Sequence, residues 1–171
     1  MRFPLAIAVV ALLAGPAFAN SQMSEDFVKK ASMTDLFEVQ SSQLALQKAQ
    51  SADVKSFAQH MIDEHTKSTQ KLKGIVGTTK TSASDKASGS DVAMTLDSEH
   101  SAMLNKLQNA SGKDFDKLFV NMQLDGHKKA LDLVKDYAQN GDDTKLKNFA
   151  KDMQPYIQEH LDRVQALNTK T

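Results

Sequence analysis

Residues 143–167, DTKLKNFAKDMQPYIQEHLDRVQAL, place an apolar side chain at almost every third or fourth position. This spacing puts the apolar side chains on one face of an α-helix. The face comprises Leu146, Phe149, Ala150, Met153, Ile157, Val164 and Leu167. His160 falls on the same face, between Ile157 and Val164. The stretch therefore predicts a long amphipathic helix that turns a histidine towards the core.

Four segments upstream of this stretch are also helical in character. We predict helices over residues 24–49, 53–76, 91–109 and 114–139, with Ser24 and Asp91 as the N-caps of the first and third. Residues 78–90, TTKTSASDKASGS, predict a polar loop. No strand pattern or repeat stands out in the sequence. The pattern predicts an all-α fold, an antiparallel bundle of four long helices with one extra short helix.

Charge and composition exclude several classes of protein. The 171 residues include 21 basic and 21 acidic side chains, so the net charge of zero argues against a nucleic-acid partner, which needs clustered positive charge. Because cysteine is absent, disulfides, thiolate metal sites and a cysteine nucleophile are excluded. The sequence does not identify a protein partner.

The first 19 residues have the features of a signal peptide. Arg2 precedes the apolar run LAIAVVALLA at 5–14, and Ala17-Phe18-Ala19 matches an A-x-A cleavage signature. The run is shorter than the roughly 20 residues that cross a bilayer, which disfavours the alternative of an uncleaved anchor. We expect a mature domain of residues 20–171 without a transmembrane segment, in the periplasm or secreted.

Each long helix carries one ionisable residue on or near its apolar face: Glu38, His65, His127 and His160. Glu38 and His65 are equally far from the break at 51–52, so they lie level in an antiparallel hairpin. His127 and His160 are offset by about one turn around theirs. Imidazole and carboxylate ligands together suit Zn, Fe, Mn or Cu(II). The sequence therefore predicts a candidate site for one transition-metal ion.

A hydrogen-bonded polar layer that fixes helix register is the alternative interpretation of these four residues. A metal-dependent redox enzyme is a weaker one, because di-iron bundles carry Glu-x-x-His pairs. Here Ile62, Leu124 and Ile157 stand three residues before the histidines. No catalytic residue is therefore predicted.

For the other histidines and three methionines, the sequence predicts structural roles. His60 is expected on a solvated face, paired with Glu64. His100 is expected to be partly buried. Three methionines that precede the predicted ligands are expected to fill the core; they are Met61, Met122 and Met153.

The ordered motifs of the chain resemble those of one bacterial family. They are DFVKKA at 26–31, LFEV at 36–39, VKSFA at 54–58, MIDEH at 61–65, SGKDFD at 111–116, DGH at 125–127 and PYIQEHL at 155–161. The sequence is similar to an uncharacterised family of exported proteins, often labelled outer-membrane proteins, whose domain of unknown function is assigned to the ferritin-like superfamily. The resemblance implies a ferritin-like four-helix fold and brings no reaction with it.

Mass spectrometry of the exported protein tests the predicted cleavage after Ala19. We expect Asn20 at the N-terminus, because the A-x-A signature ends at Ala19. A mature chain that still carries residues 5–14 would contradict the signal peptide.

Overall fold

The chain folds into five α-helices in the computed structural model, which describes residues 17–79 and 92–170, with side chains for 22–77 and 92–170. The helices are α1 (Ala17–Lys48), α2 (Ala52–Thr79), α3 (Ser98–Asn109), α4 (Gly112–Asn140) and α5 (Thr144–Asn168). The described residues include no strand. The prediction of an all-α chain with one short helix among long ones is confirmed.

The long helices pack in pairs around one core. α1 packs against α2 and α4, α5 packs against α4 and α2, and the short α3 lies mainly on α1. Aromatic and aliphatic side chains fill the space between the helices, and the largest fully buried ones are Phe27, Phe57, Phe115, Phe119, Met61, Leu72 and Leu107. The apolar faces read from the sequence therefore meet in a helical bundle.

Two helix boundaries differ from the prediction at the start of α1 and the end of α2. α1 begins at Ala17, so Ser24 lies inside the helix and is not its N-cap. The Ser24 hydroxyl instead donates a hydrogen bond of 2.6 Å to Asp142. α2 continues through Thr79, past the predicted end at Val76. Residues 80–90 of the predicted loop lie outside the described residues.

The short helix α3 begins seven residues later than predicted. Its N-cap is Asp97, whose carboxylate accepts the His100 N–H at 2.9 Å. Residues 92–97 are not helical, because α1 side chains satisfy their backbone. The N–H of Ala93 donates to the Ser32 hydroxyl at 2.8 Å. The predicted cap, Asp91, lies outside the described residues, and a helix beginning there is wrong.

A buried carboxylate holds the turn between α1 and α2 against α4. Asp116 accepts the N–H of Gln50 at 3.0 Å and the N–H of Ser51 at 2.8 Å. Both donors belong to the connection between the two helices and have no helical partner of their own. One side chain of α4 therefore fixes where α2 begins.

Near the other end of α1, a hydrogen-bonded tyrosine of α4 holds the helix in place. The Tyr137 ring stacks on Phe27 with the centroids 4.0 Å apart. The Tyr137 hydroxyl donates to Asp142 at 2.9 Å, on the same carboxylate oxygen that Ser24 contacts. Together these contacts fix α1 against the connection between α4 and α5.

We expect Asp116→Ala to lower the free energy of unfolding by about 2 to 3 kcal/mol, because it leaves two backbone donors of the α1–α2 turn without their charged acceptor. Asp132→Ala, an exposed position on the same helix, is the matched control and should change it by less than about 0.5 kcal/mol. Urea unfolding followed by circular dichroism measures both. Equal losses in the two variants would contradict the assigned role.

Candidate metal centre

Four helices each bring one of the predicted ligands into the core. Glu38 lies on α1, His65 on α2, His127 on α4 and His160 on α5. All four side chains are buried, with residue exposures of 1%, 5%, 1% and 3%. An ionisable group at this depth destabilises the fold unless it has a hydrogen-bond or ionic partner.

Three of the four converge in one group, here called the histidine cluster: His65, His127 and His160. Each offers one ring nitrogen, and these three atoms lie within 4.8 Å of one another. The ring centroids of each pair are 5.3 to 5.7 Å apart. Because the rings come from three helices, the cluster depends on the tertiary fold.

The orientation of the His65 ring is fixed by Asp35, a residue of α1 that sequence analysis did not single out. The Nδ1–H of His65 donates to Asp35 Oδ1 at 2.8 Å. The other carboxylate oxygen of Asp35 accepts the Thr69 hydroxyl at 3.2 Å. In its neutral form, with the proton on Nδ1, the ring presents a lone pair on Nε2. Asp35 lies one turn before Glu38, and that spacing was the available signal.

His127 is oriented in the same way by the backbone of its own helix. Its Nδ1–H donates to the carbonyl oxygen of Gln123 at 2.8 Å. This bond also leaves the lone pair on Nε2.

Four buried nitrogens of the cluster have no hydrogen-bond partner among the described residues. They are Nε2 of His65, Nε2 of His127 and both ring nitrogens of His160. Buried polar atoms are nearly always paired, so such a concentration in one place is unusual. Imidazoles held at Nδ1 by a carboxylate or a carbonyl are the usual arrangement of metal-binding histidines.

Glu38 lies beside the cluster but is not a member of the group within 4.8 Å. Its Oε2 is buried and has no hydrogen-bond partner within the described part of the chain. Its Oε1 lies close to the backbone of Gly126, where a Cβ would approach it to 3.3 Å, a tight contact. Burial raises the pKa of Glu38 to about 7, although the charge of His65 and a hydrogen bond from Gln123 oppose the shift.

The protonation of the three histidines differs because only one has a carboxylate partner. Burial disfavours the charged form of His65, but the hydrogen bond and charge of Asp35 outweigh it and raise its pKa. Burial, with the charge of His65 adding to it, lowers the pKa of His127 to about 3. The same two causes lower the pKa of His160 to about 2. Two of the rings are therefore neutral at neutral pH, as metal ligands must be.

The remaining histidines and methionines give a mixed outcome. The predicted pair of His60 with Glu64 is wrong, because Glu64 bonds Lys67 at 2.8 Å and His60 instead faces Glu159. His100 is partly buried, as predicted. The core role of the methionines is confirmed: Met61 is fully buried, and Met122 and Met153 pack against the core.

A cavity of about 290 Å³ opens beside the cluster. His65 and His160 are among its lining residues, as are two carboxylates, Asp35 and Glu64, and two lysines, Lys67 and Lys71. Apolar side chains such as Leu133 and Phe149 form much of its wall. The cluster thus has space next to it that is not filled by protein.

No described helix is long and apolar enough to cross a membrane.

The lowered histidine pKa values predict a pH dependence of the metal-free protein. In the unfolded chain, His127 and His160 bind protons below about pH 6.5. In the folded chain, His127 binds its proton only near pH 3 and His160 only near pH 2. Stability from these groups is therefore present above pH 6.5 and is lost as the pH falls.

We expect His160→Phe to make the free energy of unfolding less steep in pH between 6.5 and 4.5, by up to about 1.4 kcal/mol per pH unit, because one proton-binding difference is removed. Urea unfolding of wild type and variant in chelator, at several pH values, measures the two slopes. Coinciding slopes would show that His160 is not held neutral by its burial.

Comparisons with known proteins found one similar solved structure and one matching domain family. A solved structure of CopM in the Cu(II)-bound form superposes with a TM-score of 0.68, covering 86% of this chain and 96% of that chain at 16% sequence identity. The two proteins therefore share a fold. No curated protein shows significant sequence similarity to the chain. The sequence profile of a domain of unknown function, DUF4142, matches residues 12–167, and the chain belongs to that family.

Proposed function

We propose that the protein binds one divalent transition-metal ion through His65, His127 and His160, and that Cu(II) is the ion it binds most tightly. The observation that carries this proposal is the set of four partnerless buried nitrogens in the histidine cluster. A metal ion bound to one nitrogen of each ring would satisfy three of them. The Cu(II)-bound neighbour of the same fold supports the choice of metal.

The donor chemistry narrows the class of metal. Three imidazoles without a thiolate suit borderline ions such as Cu(II), Zn(II) and Ni(II) better than the soft Cu(I). Among divalent ions at a given nitrogen site, Cu(II) binds most tightly. The ligands themselves and the Cu(II)-bound fold neighbour therefore both support the proposal of Cu(II).

Two buried carboxylates would balance the charge of the ion. Asp35 bonds the back of the His65 ring, and Glu38 lies beside the cluster with Oε2 lacking a partner among the residues described. Two negative charges offset a dication in a medium where an unpaired charge is costly. In this proposal Asp35 orients His65, and Glu38 supplies the fourth ligand or the balancing charge.

The alternative of a polar layer that only fixes packing explains less. Such a layer stabilises the fold when its members bond to one another, because each unpaired buried group costs about 1 to 3 kcal/mol. Here the outer nitrogens of His65 and His127 are bonded, while the nitrogens that face one another are not. This division between paired and partnerless atoms favours a ligand in the centre.

Redox catalysis remains the weaker alternative. The residues three positions before the histidines are Ile62, Leu124 and Ile157, so the carboxylates of a di-iron centre do not accompany them. The cavity beside His65 and His160 could admit a small molecule to the metal, but no described residue marks a particular reaction. We therefore assign binding and no catalytic residue.

We infer that residues 1–19 direct export, and that residues 20–171 act in the periplasm or outside the cell, where a role in envelope stress would fit metal capture. We also propose that the four long helices form an antiparallel ferritin-like bundle. The contacts of α1 with α2 and of α4 with α5, each pair joined by three residues, support this topology.

Cu(II) titration of protein purified without an affinity tag tests the proposal. We expect one tightly bound equivalent, and a stabilisation of about 2.7 kcal/mol when the free ion is at 100 times its Kd. Single changes of His65, His127 or His160 to Ala should weaken binding severely. Asp35→Asn should weaken binding by about 10- to 100-fold, because it frees the His65 ring to rotate.

His100→Ala is the matched control, since His100 is a half-buried histidine of α3, which is not one of the three cluster helices, and is bonded to Asp97, the N-cap of its own helix. It should bind Cu(II) like wild type. Absence of a Cu(II)-dependent shift in wild type would refute metal binding. A shift kept in full by all three cluster variants would refute this site.

A further inference from the structure

His60 is a partly buried histidine next to the cluster. It lies on α2, with its side chain 29% exposed, so one edge reaches solvent. Its Nε2 is nevertheless buried and has no hydrogen-bond partner in residues 17–79 and 92–170. The ring therefore spans the boundary between the surface and the interior.

The His60 ring contacts the His160 ring. The two ring centroids are 5.3 Å apart and the rings are nearly perpendicular, at 86°. Both nitrogens of His160 lack partners within the described ranges, and they lie on different edges of the ring. One ion in the cluster uses only one of them. The other nitrogen is left over, and His60 is the imidazole outside the cluster that contacts the His160 ring.

A surface carboxylate completes the approach to His60. Glu159 Oε1 lies 3.8 Å from His60 Nε2, and the Glu159 side chain is 55% exposed. This separation is close to the roughly 3 Å between two ligands that share an ion at bonds of about 2 Å. Arg163 approaches the same carboxylate oxygen at 3.5 Å, so the carboxylate is shared and not locked to His60.

We propose that His60 and Glu159 form an outer capture site that takes Cu(II) from solution and passes it to the histidine cluster through His160. The inference rests on the proposed function, because it requires a metal centre at the cluster. Transfer is an exchange of ligands without a change of oxidation state. The His160 nitrogen that the cluster does not use first replaces Glu159 on the ion. The other nitrogen of His160, together with His65 and His127, then replaces His60 and that first nitrogen. Two donors hold the ion less tightly than three, so it moves inward.

The cavity beside the cluster is the other possible route, and its chemistry suits a cation less well. Its wall is largely apolar, with Leu133 and Phe149 among the lining residues. The lysines Lys67 and Lys71 and the carboxylates Asp35 and Glu64 also line it, so the two signs balance and leave no net negative charge to attract a dication. The route past Glu159 offers a half-exposed carboxylate, shared with Arg163, and an imidazole behind it.

Stopped-flow loading tests the capture site. Cu(II) bound to a weak chromophoric chelator is mixed with metal-free wild type, His60→Ala and Glu159→Gln, and the chelator absorbance follows transfer. We expect His60→Ala to slow loading by about 10-fold or more, because it removes the imidazole that first holds the ion. Glu159→Gln should slow loading by a smaller factor, because it removes the negative charge that attracts the ion. The equilibrium affinity of both variants should stay within about threefold of wild type, since the cluster is intact.

Two further variants sharpen the test. His100→Ala removes a half-buried histidine that, like His60, has a carboxylate nearby, and it should load at the wild-type rate. Arg163→Gln releases Glu159 from its cation and should load faster than wild type. Circular dichroism and thermal unfolding confirm that each variant is folded.

The outcomes separate this inference from the proposed function. Wild-type protein that takes up no Cu(II) would refute the metal centre and the capture site together. Normal affinity with an unchanged loading rate in His60→Ala would refute the capture site alone. A fall in affinity as large as the fall in rate would make His60 a ligand of the centre itself, which also overturns the capture role.

Discussion

The burial of three imidazole rings at one point between α2, α4 and α5 is the constraint on which the structure depends. Each partnerless buried nitrogen costs about 1 to 3 kcal/mol, against a total stability of about 5 to 15 kcal/mol for a domain. The cluster carries four such atoms. The rest of the core must offset this cost, and it does so with fully buried side chains such as Phe57, Phe119 and Leu72. A ligand that binds those nitrogens recovers part of the cost and stabilises the fold.

The contacts at the ends of the helices explain how the rings stay together. Asp116 fixes the start of α2, and Tyr137 fixes α1 against the connection between α4 and α5. Rotation of any helix by one residue, about 100°, would turn its histidine out of the cluster. Because these anchors are at the helix ends and the cluster is between them, the same contacts that stabilise the fold also hold the site in shape.

The helical segments and the inward histidines follow from the sequence because they are properties of single helices. A period of 3.6 residues determines which side chains share a face, so the apolar stripes around His65, His127 and His160 were visible. Contacts between helices are not encoded in that period. Asp35 bonds His65 across two helices, and His60 faces Glu159 instead of Glu64, because helix rotation decides both. The start of α3 escaped prediction for the same reason, since Ser32 of α1 satisfies the backbone before it.

A glycine inside α4 lies against the buried carboxylate of Glu38. Glycine in a helix interior costs about 1 kcal/mol relative to alanine. At Gly126 a Cβ would come within 3.3 Å of Glu38 Oε1, so an alanine would crowd the carboxylate. A chain shaped for stability alone would place an alanine there and an apolar residue at position 38. The glycine and the buried carboxyl group of Glu38 each lower the stability of the fold. Both are consistent with the proposed role of this carboxylate, which is to balance the charge of a bound cation.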